Sequence, residues 1–226
     1  MKRLVIFGLT ENAQLAFHYF SSEGKYEISA FTVDSEYLTH DKLLGLPVVP
    51  AEELRTLYPP DKSTMFVGMS YGGMNQNRGA VYDRLRDWGY RFASYIDPKA
   101  SVMTEDIGEN VLITGNVSIQ PSARIGNNVI IGPNVVVSHH CIIKDHNYFA
   151  PAACLCGENV VDEYCIIGAG AVIAPRVHVG RSNFIGVGAH VFHSTGENEA
   201  YLTGATSKSP LPATFHERFS RSKPGS

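Results

Sequence analysis

The sequence predicts two structural parts in one chain. These are an α/β domain over residues 1–97 and an all-β parallel β-helix over residues 98–196, followed by a tail at 197–226. Two observations support this. Short apolar runs alternate with helix-like stretches in the first part, whereas an apolar residue recurs every six positions in the second. A period of six fits neither a helical bundle nor a β-sandwich.

Composition and charge limit the classes of function. The 226 residues are 44% hydrophobic and 18% charged, with a net charge of −3, which is typical of a globular domain that does not bind nucleic acid. No apolar stretch approaches the length of a membrane helix, so we expect no membrane insertion. The apolar run near the N-terminus is too short for a secretory signal, which favours a cytoplasmic protein.

The six-residue repeat continues through fifteen hexads without a miss. Its apolar positions are Ile107, Ile113, Ile119, Ile125, Ile131, Val137, Ile143, Phe149, Leu155, Val161, Ile167, Ile173, Val179, Ile185 and Val191. Four residues later the side chain is small or branched, so two inward columns would fill a narrow stacked core. The residue directly after the apolar position is often glycine, as at Gly108 and Gly126, and we interpret these glycines as residues that tolerate the backbone angles of a tight corner.

The front part alternates between predicted strands at 4–8, 26–34, 65–70 and 91–96 and predicted helices at 12–22, 51–58 and 75–90. Such alternation implies a parallel sheet, whose ligands bind at the carboxyl ends of its strands. The first loop lacks the G-x-G-x-x-G pattern of dinucleotide sites. The predicted substrate-binding residues follow the strand ends or begin the last helix: Asp34, Ser70, Tyr71, Asn75 and Arg78.

Residues 1–205 resemble one family of proteins. AFTVD at 30–34, LGLPVVP at 44–50 and GYRFASYI at 89–96 are similar to a branch of the bacterial hexapeptide-repeat sugar acyltransferases. That family includes sialic acid O-acetyltransferases and bacillosamine or perosamine N-acetyltransferases. The resemblance implies a Rossmann-like front domain that holds a nucleotide-linked sugar, and a left-handed parallel β-helix of triangular 18-residue coils. It also implies a homotrimer, acetyl-CoA bound between subunits, and a role in polysaccharide biosynthesis.

Two histidines at one corner are the candidate catalytic residues. His139 follows inward Val137 by two positions and therefore lies at or near a corner, with His140 next to it. Acetyl transfer needs a base for the nucleophile, and histidine suits that task near neutral pH. Gly157 lies one 18-residue coil after His139, so its N–H should be approachable above the imidazole. In the family, the matching glycine donates to the thioester carbonyl.

Three further residues are candidates for contact with acetyl-CoA. His146 and Tyr148 lie on the hexad after the two histidines. The stretch GATSK at 204–208 resembles the family's G-x-P-A-K ending but lacks its proline, and Lys208 is a candidate for contact with CoA phosphates.

The predicted function is acetyl-CoA-dependent N-acetylation of a nucleotide-linked amino sugar, with His139 as general base. One alternative is a sugar O-acetyltransferase of the same family, and another is a non-catalytic sugar-nucleotide-binding or scaffold protein. A zinc hydratase like the γ-type carbonic anhydrases would have two zinc-binding histidines five residues apart, whereas His140 and His146 are six apart. We therefore expect no metal.

Overall fold

A computed structural model describes residues 2–204 and Pro210, so the predicted contact at Lys208 lies outside the described residues. The front part is a six-stranded sheet with helices on both faces. Its elements are β1 (Lys2–Phe7), α1 (Glu11–Glu23), β2 (Tyr26–Val33), β3 (Lys42–Leu43), β4 (Leu46–Pro50), α2 (Leu54–Leu57), β5 (Ser63–Val67), α3 (Gln76–Asp87) and β6 (Arg91–Phe92), with 3₁₀ turns at Ser35–Tyr37 and Ala51–Glu53.

The strand order of this sheet is β3-β4-β2-β1-β5-β6. All neighbouring strands are parallel except the β3–β4 hairpin at the edge. Since the chain leaves β1 toward β2 and later returns on its other side as β5, a crevice opens at the carboxyl end of β1. The hairpin escaped prediction because Pro47 and Pro50 interrupt its apolar run, and proline in a strand is tolerated mainly at a sheet edge.

The second part is a triangular prism of two-residue strands. These are β7 (Tyr95–Ile96), β8 (Ser101–Val102), β9 (Leu112–Ile113), β10 (Ser118–Ile119), β11 (Arg124–Ile125), β12 (Ile130–Ile131), β13 (Val136–Val137), β14 (Ile142–Ile143), β15 (Tyr148–Phe149), β16 (Cys154–Leu155), β17 (Val160–Val161), β18 (Ile166–Ile167), β19 (Val172–Ile173), β20 (His178–Val179), β21 (Phe184–Ile185), β22 (His190–Val191) and β23 (Ala200–Tyr201). The faces have strand orders β22-β19-β16-β13-β10-β8, β11-β14-β17-β20 and β23-β21-β18-β15-β12-β9-β7. The second residue of most strands is buried in one continuous core.

The prism extends beyond the strict repeat at both ends. Ile113 pairs with Ile96, 17 residues earlier, and Ile185 pairs with Tyr201, 16 residues later, whereas the coils between them have 18. One shortened corner shifts the frame, so the regular series of apolar positions begins only at Ile107. β23 lies within the range that the sequence assigned to the tail.

The corner glycines have a different role from the one predicted. The residue in left-handed conformation is the third after each inward apolar position, for example Asn110, Asn128 and His140, and not the glycine directly after it. Gly168 shows what the glycines do instead: a Cβ there would lie 2.6 Å from the backbone carbon of Gly186 in the next coil. Glycine is therefore required by close approach between coils and not by a positive φ.

The two parts share a packed boundary. Leu112 and Ile130 lie on the outward side of one prism face and are buried against the α1 layer of the sheet, together with the ring of Tyr148. Tyr19 of α1 stacks on Tyr95 of β7 with ring centroids 5.1 Å apart. In the described ranges, 2–204 and 210, no helix is long and apolar enough to cross a membrane.

Candidate active site

The two predicted catalytic histidines lie side by side on an exposed corner between β13 and β14. His140 takes the left-handed position of that corner, with a φ of 58°. Nδ1 of His139 and Nδ1 of His140 are 3.2 Å apart, within hydrogen-bond distance. If His139 donates its Nδ1 proton to His140, then Nε2 of His139 is the ring nitrogen left to accept a proton.

Gly157 lies directly against the His139 imidazole, as the one-coil spacing predicts. A Cβ at Gly157 would lie 2.5 Å from Cε1 and 2.7 Å from Nε2 of His139. The coils are joined here by a hydrogen bond of 2.9 Å from the N–H of Glu158 to the carbonyl of His139. The imidazole therefore fills the space that any side chain at Gly157 would need.

The backbone N–H of Gly157 donates to no acceptor within the described part of the chain. Gly157 is the second residue after an inward apolar position. At such second positions in the described prism the N–H has no backbone acceptor, because the hydrogen bonds between coils use the N–H groups of the first and third residues. Prolines occupy several of these positions at no cost in hydrogen bonds: Pro121, Pro133, Pro151 and Pro175. At Gly157 the position instead carries a free donor beside the candidate base.

A cleft of about 690 Å³ opens at the carboxyl end of β1, in the front domain. It is lined by the first loop, including Gly8 and Thr10, by Asp34 after β2, and by one face of α3. Asp34 pairs with Arg84 of α3, Oδ1 to Nη2, at 2.7 Å. The guanidinium of Arg84 also lies over the Phe7 ring, 5.7 Å from its centroid. The cleft thus offers an acidic acceptor, a cation and an apolar floor.

Three other predicted site residues lie at the boundary between the two parts and do not line the cleft. Asn75 and Arg78 are fully buried and bind the prism: Asn75 donates to the carbonyl of Cys165 at 3.0 Å. His146 is 6% exposed, its Nδ1 is 2.9 Å from Asn128 Nδ2, and its ring stacks on Tyr164. Burial leaves no room for a ligand at these side chains in this structure.

Tyr148 is half-buried and packs against Tyr71, with ring centroids 4.8 Å apart. Tyr71 keeps 48% of its surface exposed, and Ser70 precedes it on the loop after β5. Met69 of this loop lines the cleft around Asp34, whereas Ser70 and Tyr71 do not. Of the predicted substrate-binding residues, Asp34 therefore lines the cleft, and its role there stays a prediction.

Two residues of these sites were missed by sequence reasoning. Gln120, 19 residues before His139 in the preceding coil, accepts a hydrogen bond at Oε1 from the backbone N–H of His139 at 3.2 Å. The 18-residue spacing that identified Gly157 points to Pro121, the neighbour of Gln120, and so would have located this contact only approximately. Arg84 in the cleft had no such signal, because its position depends on how α3 packs.

The described residues contain no group of three or more histidine, cysteine, aspartate or glutamate side chains that could hold a metal ion. His140 contacts His139, whereas His146 contacts Asn128, so these two histidines have different surroundings. The corner therefore offers acid–base chemistry, with a backbone donor beside it.

The buried His146 predicts a specific dependence of stability on pH. Burial lowers the pKa of His146 below its usual value of 6.5. The folded protein thus binds this proton less readily than the unfolded chain does, so the stabilisation is complete above about pH 6.5 and is lost as the pH falls through the lowered folded value. We expect the wild-type Tm to fall more between pH 7.5 and 5 than the Tm of His146→Gln. His18→Gln, on the exposed face of α1, is the control, and its Tm should depend on pH as the wild-type Tm does. The same pH dependence of Tm in wild type and both variants would exclude His146 as its cause.

Comparison with known proteins agrees with this geometry. The family model described as bacterial transferase hexapeptide (six repeats) matches residues 106–139 and 122–157. PerB from Caulobacter crescentus, solved in complex with CoA and GDP-perosamine, is 27% identical; the match covers 88% of this chain and 93% of that one, with a TM-score of 0.78.

Two more distant structures share the fold. The acetyltransferase domain of PglB from Neisseria gonorrhoeae, in complex with acetyl coenzyme A, is 20% identical over 88% of this chain and 95% of that one, with a TM-score of 0.78. WeeI from Acinetobacter baumannii is 20% identical over 88% and 96%, with a TM-score of 0.67. The predicted fold class, a Rossmann-like α/β domain followed by a left-handed parallel β-helix, is confirmed.

The hexapeptide repeat and the front α/β domain together define a class of acyltransferase. The chain carries the bacterial transferase hexapeptide repeat and is similar in fold to bacterial sugar acetyltransferases.

Proposed function

We propose that this enzyme transfers an acetyl group from acetyl-CoA to the amine of a nucleotide-linked amino sugar, with His139 as general base. One observation carries the proposal: the His139 imidazole lies against Gly157, whose backbone N–H donates to no acceptor in the described residues. A base and an oxyanion donor side by side are the parts that acyl transfer from a thioester requires.

The reaction follows from these two groups. The amine nitrogen attacks the thioester carbon and forms the C–N bond, while Nε2 of His139 accepts the amine proton. The Gly157 N–H donates to the carbonyl oxygen as it becomes negative. The C–S bond then breaks, and the proton held by His139 passes to the thiolate of CoA. His140 keeps the His139 ring oriented through their Nδ1 contact.

The cleft at the carboxyl end of β1 is the proposed site for the nucleotide part of the substrate. Asp34 would accept hydrogen bonds from a ribose hydroxyl or a base edge, and Arg84 would stay close to the phosphates. PerB, which shares the fold, was solved with GDP-perosamine and CoA, which supports a nucleotide-linked amino sugar as acceptor here.

The proposal includes a homotrimer that works in the cytoplasm in polysaccharide biosynthesis. The prism face of β13, β16 and β19 supports the assembly, because its outward residues Val136, Cys154 and Val172 are apolar and only partly buried in the single chain. Burial of such surface between subunits is favourable at about 25 cal/mol per Å².

Thiol release from acetyl-CoA with UDP-, dTDP- and GDP-linked amino sugars tests the function directly. We expect turnover with one of these sugars and, for Asp34→Ala, a KM for that sugar raised about tenfold or more with little change in kcat, because a charge-assisted hydrogen bond is lost. Asp41→Ala, at an exposed position outside the cleft, is the control. Turnover only with hydroxyl acceptors would replace N- by O-acetylation, and no turnover with either would favour a binding role.

A further inference from the structure

Helix α3 presents different faces to the two functional parts of the molecule. One face lines the cleft with Asn77, Ala80, Val81 and Arg84. The opposite face meets the prism through Arg78, Gly79 and Tyr82. The orientation of α3 on the prism therefore sets where the cleft lies relative to the coils that carry His139.

Arg78 is the centre of this contact. It is fully buried, and among residues 2–204 its guanidinium donates only to oxygens of neutral groups: Nη1 to the backbone and side-chain oxygens of Asn128, and Nη2 to Asn75 Oδ1 at 2.9 Å. Nη2 also lies 3.2 Å from the carbonyls of His146 and Asn147. These prism partners belong to two successive coils of one corner, so a single side chain fixes α3 to both.

The energetic cost of this arrangement argues for a role in geometry. Burial lowers the pKa of Arg78 to about 9, which still leaves it charged near neutral pH. A buried cation with no carboxylate partner is expensive, and an apolar side chain of similar volume would often hold two surfaces together at least as firmly. What the planar guanidinium adds is direction, since several fixed donors accept only one orientation of the helix.

The corner beneath α3 is equally restrictive. Its left-handed positions form a column in which Asn110 bonds to Asn128, Asn128 to His146, and His146 stacks on Tyr164. Gly79 touches the end of this column: a Cβ there would lie 2.8 Å from Cε1 and 3.1 Å from the hydroxyl oxygen of Tyr164. Any side chain at Gly79 would force α3 and the Tyr164 ring apart.

We propose that Arg78 is a positioning residue for acetyl transfer, which fixes the cleft on α3 relative to the prism so that a sugar held in the cleft meets the acetyl group in line for attack. The inference rests on the proposed function. It requires that loss of this contact lower kcat for the nucleotide-linked sugar while each substrate still binds its own part of the molecule.

The test compares Arg78→Lys with a second variant that keeps the arginine. Gly79→Ala favours the helix by about 1 kcal/mol, so it should fold, yet its Cβ requires that α3 and the Tyr164 ring move apart. For both variants we expect kcat to fall about 10- to 100-fold, since a misplacement of about 1 Å has that effect. The KM for acetyl-CoA and the Kd of the matching nucleoside diphosphate should stay within about twofold of wild type.

Rescue separates positioning from general destabilisation. Tyr164→Ala removes the three atoms nearest to a Cβ at Gly79. The double variant Gly79→Ala/Tyr164→Ala should therefore recover kcat to within about threefold of Tyr164→Ala alone, a non-additive result. Arg86→Ala, which removes an exposed arginine of the same helix, is the control and should leave kcat unchanged.

Unchanged kcat in Arg78→Lys and Gly79→Ala, or a loss without rescue that follows a lowered Tm, would overturn the positioning role. A wild-type enzyme with no turnover of any nucleotide-linked sugar would overturn the proposed function, and this inference with it.

Discussion

His139→Ala should lower kcat for thiol release from acetyl-CoA by about 10²- to 10⁴-fold, because a positioned general base contributes that range. His139 is exposed at a corner and packs into no core, so the Tm should change little. The measurement is thiol release with the accepted amino sugar at saturation, alongside thermal melting. His18→Ala removes an exposed histidine of α1 and should behave as wild type.

The neighbouring histidine allows a finer test of the same pair. His140→Asn keeps a residue that tolerates the left-handed conformation at this corner while it removes the imidazole beside His139. We expect a smaller loss than for His139→Ala, about tenfold, because the base remains but its ring orientation is no longer fixed. A larger loss for His140→Asn than for His139→Ala would assign the base to His140.

The period of six was sufficient to predict the prism, its inward columns and the stacking of Gly157 on His139. These features depend only on spacing within the chain, since each coil places residue i over residue i+18. The ends of the prism were less predictable. A coil of 17 residues before Ile113 and one of 16 after Ile185 break the frame, and no local pattern indicates which corner is shortened.

The boundary between the two parts could not be predicted for a different reason. The repeat makes the three corners equivalent in sequence, so nothing in it shows which corner meets the front domain. His146 therefore resembled an exposed corner residue like His139, although Asn128 and Tyr164 at the same spacing belong to the column that α3 covers. Likewise, Arg78 lies in the first turn of a helix, where a ligand-binding residue could lie, but only the packed structure shows that it turns toward the prism.

Gly157 provides the other large expected effect. In Gly157→Ala the new Cβ would lie 2.5 Å from His139 Cε1, so the imidazole must move while the backbone N–H stays in place. A displaced base should lower kcat by about 10²-fold. Gly115 occupies the same second position of another corner, where the nearest atom to a Cβ would be Asp97 Oδ2 at 3.8 Å. Gly115→Ala is thus the matched control and should keep wild-type kcat.

Gly157→Pro tests the second role proposed for this residue, donation of its backbone N–H to the thioester oxygen. Proline fits at the same place in other coils, as at Pro121 and Pro175, because the N–H there has no backbone partner in the prism. The variant should fold, displace His139 as alanine does, and also remove the proposed oxyanion donor. Loss of one such donor lowers kcat by about 10²- to 10³-fold, so Gly157→Pro should be slower than Gly157→Ala by that further factor. Equal kcat for the two variants would mean that the Gly157 N–H does not contact the thioester oxygen, and that the only role of the glycine is to make room for the base.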